Sequence, residues 1–227
     1  MTAPEVLFDA EAARYDAAYD ASGAPGRALR DRLATVLELA GDGPGDVLDA
    51  GMGPGRLLAA LERRSWRVSG VDVSAEMLAL ARARLPEAAE RFHRAAIEAL
   101  PFPDESFDLA IATGVLEYAD DLEGALGELA RVVKPGGRAI VSLPNWWSAS
   151  AVVRRRFLYP LARAAGRTTP PRPRRVVRTT ELERLLEAAG LKPTALRPTS
   201  FRPQPFRPLG LRAFAAQFVV AAERQPR

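Results

Sequence analysis

Residues 47–56 read VLDAGMGPGR, and no stretch constrains the fold more. An apolar run ends in Asp49 and passes at once into Gly51, Gly53 and Gly55, before Arg56 opens a helical pattern. Glycine at such a density supplies the tight, bare backbone that a strand needs when it turns directly into a helix. That is the opening of a parallel βα unit, whose crossover is right-handed.

The same alternation continues along the chain. Hydrophobic periodicity predicts helices over 5–20 and 26–40, a loop at GDGPG, a strand over 46–50 and a helix over 55–64. Strands follow at 67–73, 91–95, 107–113 and 138–143, with helices after Ser74 and over 122–133, the latter stopped by KPGG. FDLAIAT at 107–113 is apolar at nearly every position, as expected of a strand covered on both faces. A helix over 179–190 and strands near 193–202 and 211–222 close the chain. Alternation of this kind predicts an α/β fold with a mostly parallel sheet and helices on both faces. Four parts are expected: covering helices over 1–44, a core over 45–143, a Trp-, Arg- and Pro-rich insertion over 144–178, and a closing helix and strands over 179–227. Insertions of that length are usually functional lids or mobile.

The glycine turn departs from the dinucleotide fingerprint G-x-G-x-x-G, since Arg56 stands at the third glycine. Asp49 lies two residues before Gly51, and a carboxylate there disfavours a phosphate and favours a cation. The expected ligand is a nucleoside with a positively charged tail. Asp72, at the end of the second strand, is placed to accept both ribose hydroxyls, and Val73 and Met77 offer apolar contact to a base.

VLDAGMGPG, GVDVSAEML, ALPFPDESFDLAIATGVLEY and ELARVVKPGGRAIVSLPN, in that order, resemble the successive motifs of the class I S-adenosylmethionine-dependent methyltransferases, small-molecule branch. The resemblance is firm over residues 45–145 and extends weakly to TTELERLLEAAG. It implies a Rossmann-like seven-stranded sheet with the last strand antiparallel and S-adenosyl-L-methionine bound over the glycine turn. Asp49 and the turn glycines would then lie near the methionine part and Asp72 at the ribose. Relatives often carry an Asp that accepts from the adenine amino group. Here that position is Ala96, leaving the backbone N–H of Ile97 to meet the ring. Gly114 would pass close to the sulfonium, and Tyr15 or Arg14 would belong to the cofactor-covering segment. No metal is implied.

Methyl transfer needs alignment more than a catalytic side chain. Glu117 and Tyr118, just past the fourth strand, are candidate acceptor contacts or bases, and His93, the only histidine, is a further candidate. Asn145, Trp146 and Trp147 follow the fifth strand, where tryptophans can floor an apolar or aromatic acceptor pocket.

Cysteine is absent, so disulfides and thiolate metal sites are excluded. The first residues lack a signal-peptide pattern and no run suits a membrane span, so a cytoplasmic protein is expected. The net charge of +4 hides a balance of −9 over residues 1–150 and +13 over 151–227. The basic part, notably Arg154–Arg156 and RPRRVVR, suits an anionic substrate or peripheral membrane contact over 150–178, or is simply solvated surface. No nucleic-acid partner is expected, because no recognisable binding module is present. The leading function is methylation of O, N or C of a small molecule. The alternatives are methylation of a lipid or quinone precursor at a membrane, non-catalytic binding of the cofactor and, more remotely, a nicotinamide oxidoreductase.

Overall fold

Alternate residues of the central strands feed two separate cores, one on each face of the sheet. The computed structural model describes residues 3–145, 152, 156–157, 159–164, 177–199 and 217–226. Its strands are β1 (Gly45–Ala50), β2 (Trp66–Asp72), β3 (Phe92–Arg94), β4 (Phe107–Thr113), β5 (Val133–Pro144), β6 (Leu191–Thr199) and β7 (Gln217–Arg224). They form one seven-stranded sheet in the order β3-β2-β1-β4-β5-β7-β6. The pairs from β3 to β5 are parallel, whereas β7 runs antiparallel to both β5 and β6.

The helices are α1 (Ala3–Ala18), α2 (Ala24–Ala40), α3 (Arg56–Glu62), α4 (Ala75–Arg84), α5 (Leu122–Val132), α6 (Tyr159–Ala164) and α7 (Thr179–Ala188). Val47, Leu109, Ile111 and Ile140 pack with Val36 of α2, Leu58 of α3 and Leu78 of α4. Leu48, Ala110, Ala112 and Val141 pack on the opposite side with Leu126 of α5 and Leu182 and Leu186 of α7. The period of two in the strands thus becomes two cores, as a sheet buried on both faces requires. Ser74 caps α4 by accepting from the Met77 amide, and Asp121 caps α5 by accepting from Gly124.

The elements differ from the periodicity in three places. KPGG does not precede β5 but lies within it: the strand begins at Val133, and the register with β4 shifts between Phe107 and Leu109 to absorb Gly136 at φ +75°. The third strand shortens to Phe92–Arg94, behind a 3-10 turn over Pro86–Arg91. The last strand is Gln217–Arg224, later than the expected 211–222. Arg224 anchors its end, buried at 7% exposure and donating to the carbonyl of Val133 and to Glu105.

Candidate cofactor and methyl-transfer site

The carboxyl ends of β1, β2 and β4 converge on the glycine turn, where ligands bind in open α/β sheets. The three glycines serve different ends. A Cβ on Gly51, at φ +80°, would stand 2.7 Å from the Val115 side chain. One on Gly55, at φ +73°, would stand 3.0 Å from Ala81 of α4. These two are demanded by packing. Gly53, at φ +52°, meets nothing nearer than Met77 Sδ and Tyr15 Cε1, both at 3.9 Å. Of the three, Gly53 is the one that bares its backbone to a hollow, walled by Met77 and Tyr15.

Asp72 is buried beside it. Its Oδ2 accepts the Gly53 amide at 2.8 Å and its Oδ1 the Ser74 amide at 2.9 Å. Each oxygen keeps a lone pair for a further donor. Burial raises its pKa from the usual carboxylate value, against the pull of these amides. Val73 follows directly, its carbonyl held by Arg94. Ala96 is exposed and Ile97 is buried on the loop after β3.

At the carboxyl ends of β1 and β4 lies a cluster centred on a residue that the motifs do not mark. Arg32 reaches in from α2 and donates to the Tyr15 hydroxyl at 2.8 Å. Its Nη1 stands 2.6 Å from where a Cβ on Gly114, at φ +75°, would project. Asp49 and Glu117 flank it. Among the described residues, Asp49 Oδ1 and Glu117 Oε2 are buried side-chain oxygens with no hydrogen-bond partner. Burial pushes both carboxyls up to about 7; Asp72 adds to the rise at Asp49, and Arg32 opposes it at both. The sequence held one clue to Arg32. Leu29, Arg32, Leu33 and Val36 fall at i, i+3, i+4 and i+7, so a cation occupies the inward stripe of an amphipathic helix.

Helix α1 is strapped over this region. Its Asp16 accepts from Arg56 at 2.6 Å and from Arg84 at 2.9 Å, and Asp20 accepts from Arg56. Asp9 accepts from the Ser74 hydroxyl at 2.6 Å, at the start of α4. Glu5 pairs with Arg94. Phe8 meets the Tyr118 ring edge-on, with 5.3 Å between centroids. Tyr15 therefore faces the hollow. Arg14 does not: its side chain is 62% exposed and pairs with Glu11.

Glu117 and Tyr118 sit on a 3-10 turn, Leu116–Tyr118, just past β4, and burial raises the Tyr118 pKa further above its ordinary value. His93 packs edge-on against Phe102 on β3, away from this cluster. Gly114 is held by Ser142 of β5, whose hydroxyl accepts the Gly114 amide at 3.1 Å and the Gln217 side-chain amide at 2.9 Å. Asn145 closes β5 and lines a cavity there; Trp146 and Trp147 lie outside the described residues.

Residues 48–141 match the family model described as a methyltransferase domain. A malonyl-[acyl-carrier protein] O-methyltransferase of Salmonella typhimurium is 44% identical over 107 residues, 47% of this chain and 41% of the relative. A demethylmenaquinone methyltransferase of Tropheryma whipplei is 38% identical over 96 residues, 42% of this chain and 40% of the relative. The chain thus spans less than half the length of these curated relatives. Among solved structures, a Thermotoga maritima S-adenosylmethionine-dependent methyltransferase, possibly acting on histamine, superposes with a TM-score of 0.66 at 24% identity, covering 97% of this chain and 99% of the other. A Streptomyces coelicolor geranyl diphosphate C-methyltransferase, solved with S-adenosyl-L-homocysteine, gives 0.62 at 18% identity over 85% of this chain and 78% of the other. At these identities the structures speak for the fold. Sheet order and glycine turn define a Rossmann-like α/β domain. Residues 48–141 match a methyltransferase domain, and this stretch is similar to S-adenosylmethionine-dependent methyltransferases.

Proposed function

We propose that the chain moves a methyl group from S-adenosylmethionine to an O, N or C atom of a small molecule. One observation carries this reading: two buried carboxyl oxygens without partners, Asp49 Oδ1 and Glu117 Oε2, face the ends of β1 and β4. Buried polar atoms of this kind call for a donor or a cation. The residues fit the cofactor: carboxylates at Asp49 and Glu117 suit its cationic end, the open face of Gly53 admits a backbone-hugging ligand, and Asp72 suits a ribose diol. When bound, the cofactor would supply an electrophilic methyl on cationic sulfur, to be taken by an electron pair of the acceptor O, N or C.

The chain's own residues supply position and protons. Met77 and Tyr15 wall the hollow over Gly53. Glu117, with its carboxyl near neutrality, is suited to take a proton from an acceptor O–H or N–H. Tyr118 stays protonated and donates, because burial lifts its pKa. Arg32 offsets part of the cost of ionising each carboxyl and offers a cation to a ligand carboxylate. The test is calorimetric titration with S-adenosyl-L-homocysteine, followed by transfer of labelled methyl to a metabolite panel. Absence of heat from the native chain sinks the proposal; heat without turnover on any acceptor favours a non-catalytic binder.

A second reading, action on a lipid or quinone precursor at a membrane, has its own support. Val152, Phe157 and Leu161 are 37%, 60% and 67% exposed. Residues 151–178 hold nine arginines and no acid. Apolar side chains among cations suit an anionic bilayer. No helix among the described residues is long and apolar enough to cross a membrane. Cosedimentation with phosphatidylglycerol vesicles but not phosphatidylcholine vesicles is the expected result, and equal recovery with both argues against it.

A further inference from the structure

We infer that Asp9 and Ser74 couple the first helix to the nucleoside, so that α1 docks more tightly when a vicinal diol occupies Asp72. The inference rests on the methyltransferase reading above, which puts a ribose at that carboxylate; the coupling through Ser74 goes beyond it. Glu5, Asp9, Ala12 and Asp16 fall at i, i+4, i+7 and i+11, so they share one face of α1. A helix laid on a domain normally turns an apolar stripe inward. Here Ala12 is buried and acids accompany it, with Glu5 on Arg94, Asp9 on Ser74 and Asp16 on Arg56 and Arg84. Asp16 is therefore anchored on cations of α3 and α4. Asp9 is anchored on a residue two positions from Asp72, at the start of α4.

Ser74 stands between two carboxylates and is fully buried. A hydroxyl has a single proton to give, and Ser74 gives it to Asp9 Oδ1 at 2.6 Å, the length of a charge-assisted bond. Its oxygen accepts the Met77 amide at 3.1 Å, which holds the hydroxyl in place. Its own amide donates to Asp72 Oδ1 at 2.9 Å, while Asp72 Oδ2 takes the Gly53 amide at 2.8 Å. A hydrogen-bonded line thus runs from α1 through Ser74 and Asp72 to the open glycine of the turn. Charge follows the same line: burial raises the Asp72 pKa, and Asp9 adds to the rise. A second negative charge makes Asp72 more basic and so a stronger acceptor for a hydroxyl. Conversely, two hydroxyls donating to Asp72 disperse its charge and relieve the repulsion felt by Asp9. Each event favours the other, and linkage makes the factor equal in both directions.

The test uses the whole chain and two probes, adenosine and 2′,3′-dideoxyadenosine, read by calorimetry and by hydrogen exchange over residues 3–18 at saturation. S-adenosyl-L-homocysteine is titrated in parallel. In the native chain, adenosine should slow exchange over 3–18 by about fivefold or more, and the dideoxy probe by far less. Asp9→Ala should quicken exchange there, and adenosine should restore little of the loss. Asp9→Asn keeps an acceptor for Ser74 without the charge, so the helix should stay docked while the added protection from adenosine shrinks. This variant decides the matter if the alanine one fails to fold, as a melting curve shows. The two variants also decide it if the dideoxy probe does not saturate the site. A clamp without coupling would loosen residues 3–18 by the same factor with and without adenosine. That result overturns the inference, as does equal protection by both probes or failure of the native chain to bind adenosine saturably. In each of these cases intact S-adenosyl-L-homocysteine binding leaves the methyltransferase reading standing. A native chain that binds neither adenosine nor S-adenosyl-L-homocysteine removes that reading and the coupling with it.

Discussion

Arg32 Nη2 donates to the Tyr15 hydroxyl at 2.8 Å, joining the second helix to the first across the mouth of the site. The same guanidinium lies against Gly114 and lowers the pKa of both Asp49 and Glu117. One cation therefore holds the lid helix and tempers two buried acids.

Arg32→Met is expected to raise both carboxyl pKa values further and to weaken S-adenosyl-L-homocysteine binding by about tenfold or more. Tyr15→Phe should cost less, since it removes one hydrogen bond of about 1 kcal/mol and leaves the charge. Calorimetry on both variants checks the order. Equal affinities for all three proteins would remove Arg32 from the site.

Stability should fall as the pH rises from about 4 to about 7. The unfolded chain loses protons from Asp49 and Glu117 near the ordinary carboxylate value, whereas the folded chain keeps them up to about 7. Between those values the folded state holds more protons, so the slope of stability against pH is negative there. Urea midpoints measured at about pH 5 and about pH 8 test it. Asp49→Asn and Glu117→Gln should each flatten the change and stabilise the chain at the higher pH.

The glycine turn should separate into two behaviours. Gly51→Ala and Gly55→Ala drive a Cβ against Val115 and Ala81, so both should lower the melting temperature clearly. Gly53→Ala meets no close neighbour, so its stability cost should stay near the 1–2 kcal/mol of a left-handed alanine. Its larger effect should be on S-adenosyl-L-homocysteine affinity. A melting series paired with calorimetry distinguishes them, and equal melting losses at the three positions would refute the division.

Removing Asp16 should free the first helix without unfolding the sheet. Asp16 takes both Arg56 and Arg84 and is itself only partly exposed. Burial raises its pKa and the two arginines more than reverse that, so it stays ionised well into acid. In Asp16→Ala, hydrogen exchange over residues 3–18 should quicken while β1 and β4 stay protected. Added salt should mimic part of the effect in the native chain.

The sheet was readable because its strands are covered on both faces. FDLAIAT has no polar side to confuse the pattern, and its residues divide between two cores as the period of two requires. Asp72 and the glycines were legible as a motif, but not the difference between packing glycines and the open one. That difference depends on Val115 and Ala81, which are remote in sequence. Arg32 escaped because an isolated arginine on a helix carries no spacing signature; only its place on the apolar stripe sets it apart. The early start of β5 escaped because KPGG reads as a stop, whereas β5 bulges through it before its pairing with β4 resumes at Arg138. Asp9 escaped for the same reason as Arg32, since its partner Ser74 lies far along the chain.

β7 is the final strand in sequence, yet it lies between β5 and β6. On the ribosome, the flank of β5 at Ile140 and Val141 has to wait for Val220 and Ala221 to emerge before its ladder is filled. Until then the nascent domain carries an open sheet margin, the kind that recruits foreign strands. A chain released before Gln217 should therefore depend on chaperones and tend to precipitate, although its glycine turn and its acids are already complete.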